Sequence, residues 1–160
     1  MTGFKPINGV PPDLWPVLSR LLDTARDILA TQGYLEPVAF IGSKQPDGKP
    51  HFTAMAMDLS DEEVKETTAL AIRTLCAVSG ADWVFTIGEV WKREGKTLSD
   101  AKEASPSEAV ALTLQTKAGS WLATGEFGLL SGQRRLWPEK FEWSYSIEPP
   151  EGTLSNLLGL

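Results

Sequence analysis

The chain has 160 residues, enough for one domain with its own core, and 42% hydrophobic against 22% charged residues is a globular rather than a disordered composition. Fifteen Lys and Arg stand against 21 Asp and Glu, and the net charge of −6 opposes both the counterion release that drives nucleic-acid binding and attraction to anionic lipid. The lone cysteine, Cys76, permits no internal disulfide, and neither a signal-like N-terminus nor a run of about 18 apolar residues is present, so a cytoplasmic protein outside the membrane is expected.

The first element is a helix. Leu14, Val17, Leu18, Leu21, Leu22, Ala25, Ile28 and Leu29 recur at three-and-four spacing, Asp13 stands at the N-cap position, and Gly33 is placed to end the helix. Pro16 falls in the first turn, where its missing N–H breaks no helical bond. A hairpin follows, with Pro37 to Ile41 and Phe52 to Met57 as strands around the turn Gln45-Pro46-Asp47-Gly48-Lys49. Ser60-x-x-Glu63 reads as a capping box opening a second helix. Its buried stripe is expected at Val64, Thr68, Ala71, Leu75 and Val78, widened by Ile72 and Cys76, with Gly80 as the stop.

Asp82 to Trp91 is apolar on both faces and predicts a central strand. Lys92 to Pro106, polar and mixed in sign, reads as a long loop. Glu108 to Lys117 and Trp121 to Phe127 predict a second hairpin. After a Gly-rich connection, Lys140 to Glu148 alternates as a half-buried strand, and Pro149-Pro150 closes the domain at residue 148 before a Leu-rich tail over 149–160. The predicted class is α+β: a mainly antiparallel sheet of five to six strands in the order α-β-β-α-β-β-β-β, its greasy side sealed by the two helices.

That order resembles the profilin-like and roadblock/longin arrangement, which implies a topology and no function. The segment Trp83 to Trp91, followed by Ser105-Pro106-Ser107-Glu108, is also similar to a small uncharacterised family of bacterial and phage proteins. Gly88 and Val90 depart from that family's pattern, and the resemblance implies no activity.

No catalytic motif is complete. His51 is the only histidine, which excludes any site needing two imidazoles. Cys76 and His51 form a conceivable nucleophile and base, but Cys76 lies in an apolar helical stripe, where a buried structural thiol is the ordinary case. Glu89 shares a face with Trp83, Phe85 and Ile87. Desolvated there, it would suit a general acid, with His51, Glu36 or Glu126 as possible companions; otherwise it simply reaches solvent at the strand's end. Gly125-x-x-Gly128 and Gly42-Ser43-Lys44 lack the rest of any phosphate-binding fingerprint, and no cofactor or metal is expected.

The reading that remains is a non-enzymatic protein-interaction module, a homodimer or the binder of another protein. Trp91 and Trp143 are its aromatic contact candidates. Leu154, Leu157 and Leu158 have groove-binding spacing, or else fold back on their own domain. A small metal-independent hydrolase or isomerase centred on Glu89 is the alternative, and an acidic inhibitor of a basic host protein is the third.

Overall fold

The computed structural model describes residues 10–44, 50–92, 107–130, 134–146 and 157–158. Its elements are α1 (Trp15–Gln32), β1 (Val38–Lys44), β2 (Pro50–Ala56), α2 (Glu62–Ser79), β3 (Trp83–Lys92), β4 (Ser107–Thr116), β5 (Gly119–Glu126), β6 (Gly128–Leu130), β7 (Arg134–Leu136) and β8 (Glu142–Ser146). The architecture is α+β. Six strands in the order β2-β1-β3-β4-β5-β8 form one antiparallel sheet, and β6 pairs with β7 in a separate two-stranded ribbon. That ribbon lies in the stretch the composition marks as a Gly-rich connection. The turn at 45–49 and residues 93–106 of the long loop fall outside the described residues.

The helices do not share one greasy side, as the sequence pattern led us to expect. Each takes a face of its own. Val17, Leu18, Leu22 and Leu29 of α1 pack on Trp83, Phe85, Ile87, Val110, Leu112, Leu114, Trp121 and Ala123, so α1 covers chiefly β3, β4 and β5. Ala69, Ile72 and Cys76 of α2 pack on Ala39, Ile41 and Val84, on the opposite side of β1 and β3. The period-2 alternation of β1 and β3 therefore feeds two cores, which is why both of their faces are apolar.

Local capping differs from expectation at both helix starts. Leu14, not Asp13, is the α1 N-cap, with no side-chain hydrogen bond, and proline occupies the first turn. Asp61, not Ser60, caps α2: it is extended, and its carboxylate accepts from the Val64 N–H at 2.8 Å. Ser60 belongs to the preceding turn, donating its N–H to Asp58 at 3.0 Å, and this bonding with Ser60 holds the Asp58 carboxyl below its usual range. The stripe of α2 is also rotated. Thr68, Ala69, Ile72 and Cys76 are buried, whereas Ala71 and Val78 are exposed, because the row that meets the sheet runs through 68, 72 and 76. Gly33 and Gly80 end the helices in the left-handed region (φ 84° and 66°), as predicted.

Gly42 is demanded by packing rather than by a turn. It pairs with Trp83, and a β-carbon there would collide with the indole. Gly42→Ala is expected to cost about 1–3 kcal/mol through overpacking, read as a lowered denaturant midpoint. Asp61→Ala should cost about 1 kcal/mol by removing the true cap. A neutral result in the same titration would contradict that assignment.

Candidate functional site

Glu89 sits on the α1 side of β3, beside Val110 of β4. Its Oε2 accepts from the Leu35 N–H at 3.2 Å, and Oε1 accepts a short hydrogen bond from Arg135 Nη1. The same guanidinium nitrogen reaches Glu108 Oε2 at 3.3 Å. Arg135 Nε and Nη2 donate to the Gly33 carbonyl at 3.2 and 2.7 Å, and the guanidinium lies 4.6 Å from the centre of the Phe127 ring. α1 has no basic residue in its last turn, so Arg135 supplies from β7 the cation that a helix C-terminus favours. The cluster is a clasp: one arginine joins the end of α1, β3, β4 and the β6–β7 ribbon.

This arrangement does not bring His51 or Glu126 to Glu89. His51 pairs with Ser43, beyond the Trp83 end of β3. Glu89 is six residues from Trp83, so the two lie roughly 20 Å apart at about 3.3 Å per strand residue. Glu126 pairs with Ala109, whose side chain faces away from Glu108 and Val110, and so lies on the other side of the sheet. Glu36 is exposed at the rim of the groove between α1 and β1. Arg135 was the residue that sequence reasoning missed. Its only signal was the Arg134-Arg135 doublet in an acidic chain.

Cys76 is buried among aliphatic side chains on α2, and that desolvation pushes its thiol above the usual range. A thiol kept protonated is a poor nucleophile, which fits a structural role. Among the described residues no group of three or more His, Cys, Asp or Glu could hold a metal ion, and no helix is long and apolar enough to cross a membrane.

The interaction candidates divide. Trp143, opposite Ala123, is half-buried against the α1-side core. Leu157 is fully buried on the α2 side, its N–H donated to Gln115 Oε1 at 2.6 Å, with Leu158 packed beside it. Leu154 lies outside the described residues, as does the Trp91 side chain, although Trp91 itself pairs with Glu108.

A surface not singled out from the sequence is the outer strand β2. His51, Phe52, Thr53, Ala54 and Ala56 are exposed, and no residue of Pro50–Ala56 carries a formal charge at neutral pH. On the α1 side Phe52 packs edge-on to Phe40 (5.7 Å between centroids) and remains 43% exposed. A groove of about 430 Å³ runs alongside, between α1 and β1, lined by Leu21, Ala25, Ile28, Val38, Phe40 and Ile87 among others. The opposite edge, β8, is shorter and more polar, with Glu142, Ser144 and Ser146.

No protein-family model, no curated protein and no solved structure matches this chain.

Arg135→Met should destabilise the fold by about 1–3 kcal/mol, since it strands a partly buried carboxylate, and adding Glu89→Gln should recover part of the loss in a double-mutant cycle. Alkylation of Cys76 at neutral pH should keep pace with unfolding, and rapid labelling of the native protein would contradict its burial.

Proposed function

We propose that this chain is a non-enzymatic protein-interaction module whose working surface is the β2 edge and the apolar groove beside it. The observation that carries the reading is an uncharged edge strand, Pro50–Ala56, on which His51, Phe52, Thr53, Ala54 and Ala56 are exposed. Monomeric proteins commonly protect such edges with lysine, proline, bulges or a covering element, because unpaired N–H and C=O groups recruit further strands; in β2 the proline, Pro50, stands only at the first position. A partner strand would satisfy those groups by extending the sheet, while its side chains would meet Phe40, Phe52 and Ile28. The buried thiol and the absence of any need for a disulfide suit work in the cytoplasm. Both oxygens of Glu89 already accept from protein donors, which favours this reading over a carboxylate enzyme.

Photo-crosslinking tests it. A benzophenone side chain at Thr53, exposed on β2, should give a discrete adduct in cells that make the protein naturally. The same group at Val78, 80% exposed on α2, should give none. No adduct from Thr53, or the same products from both positions, would overturn the reading.

A further inference from the structure

From the hydrogen-bond phase of β2 we infer that its occupant is a second copy of this chain, joined strand to strand about a two-fold axis. The inference rests on the interaction-module reading and names its partner.

The phase of the ladder identifies the available groups. Met57 donates its N–H to the Pro37 carbonyl at 2.9 Å, so that pair is hydrogen-bonded across β2 and β1. Antiparallel pairs alternate between bonded and non-bonded, which makes Ala56–Val38, Ala54–Phe40 and Phe52–Gly42 the non-bonded ones. An independent bond agrees: the Gly42 carbonyl accepts from Asp82 N–H at 2.8 Å, on the β3 side, and hence points away from β2. The N–H and C=O groups of Phe52, Ala54 and Ala56 therefore point outward from the sheet. Those of His51, Thr53 and Met55 point inward, to β1.

Three properties favour a twin over another protein. First, a strand without formal charge pairs with itself at no like-charge cost, although the whole chain carries −6. Second, pairing about an axis at Ala54 sets Phe52 of one copy against Ala56 of the other and Ala54 against its equivalent, so each outward donor finds an acceptor. Third, an axis normal to the sheet keeps the α1 sides together. The exposed row Phe52, Ala54, Ala56 then adjoins its copy, and the two α1 grooves flank one continuous apolar floor. The contact is isologous and closes on itself, leaving no bare β2 edge.

The test uses the purified full chain, with amide exchange followed by NMR at low and high micromolar concentration alongside sedimentation velocity. A concentration-dependent dimer is expected, in which the Phe52, Ala54 and Ala56 amides slow as the protein is concentrated. The Thr53 and Met55 amides, already inside the ladder, should change little. Because the contact is uncharged between like-charged chains, added salt should tighten the dimer rather than weaken it. Ala54→Pro removes an outward donor without deleting a donor to β1, and should weaken association roughly tenfold or more. Ala56→Lys, which keeps the backbone donor, is a second variant for use if the proline perturbs the strand, and should also weaken it.

A strict monomer at high micromolar concentration would overturn the inference, as would a dimer whose Phe52, Ala54 and Ala56 amides exchange as fast as in the dilute sample. The parent reading fails separately. A Thr53 adduct of any mass other than twice the chain sinks the twin but keeps the module, and no adduct at all sinks both.

Discussion

One helix per face cannot cover six strands. At about 4.8 Å between neighbours the sheet is roughly 24 Å across from outer strand to outer strand, whereas a helix with its side chains is about 10–12 Å wide. Every other feature follows from where each helix is set. α1 lies over β3, β4 and β5, and the Trp83, Phe85, Leu112, Leu114 and Trp121 side chains beneath it are almost wholly buried. α2 lies across the sheet on the β1 and β3 side, where Ala39, Ile41 and Val84 are equally enclosed.

Two strips are left over, and the chain treats them differently. On the α2 side of β5 and β8 the uncovered positions are mostly polar: Ser120, Thr124, Glu142, Ser144 and Ser146, with Leu122 the exception. Leu157, anchored through Gln115 of β4, packs with Leu158 on the α2-side core of β1 and β3. On the α1 side of β2 the uncovered positions are Phe52, Ala54 and Ala56, which have no polar side chain to offer water. The two strips therefore present different chemistry to water. The Arg135 clasp joins the end of α1 to β3 and β4.

Much of this fold was legible in the sequence, because period-2 and period-3.6 patterns report burial directly. Most of the α1 stripe and the central position of β3 follow from it, although Ile28, expected in that stripe, is 42% exposed. Caps were harder: Asp61 and Ser60 are adjacent, both are competent acceptors, and only backbone geometry distinguishes them. The rotation of α2 was illegible for a related reason. Ala71 and Val78 fit the same broad helical stripe as Thr68, Ile72 and Cys76, and only the sheet decides which of them it meets. Glu89 was correctly placed among Trp83, Phe85 and Ile87, but its partner lies 46 residues away on a ribbon too short to show periodicity. Which strand forms the sheet's edge is not legible, because strand order depends on long-range pairing that no local pattern encodes.

Among the described residues the row Phe52, Ala54, Ala56 is exposed, whereas Ala39, Ala69, Ala109 and Ala123 are buried. Methyl relaxation by a dissolved paramagnetic agent, recorded on dilute protein, reads this most directly. The Ala54 and Ala56 methyls should relax strongly, and those of Ala39, Ala69, Ala109 and Ala123 should be shielded. Shielding of Ala54 and Ala56 equal to that of the other four in the dilute chain would contradict an open β2 face.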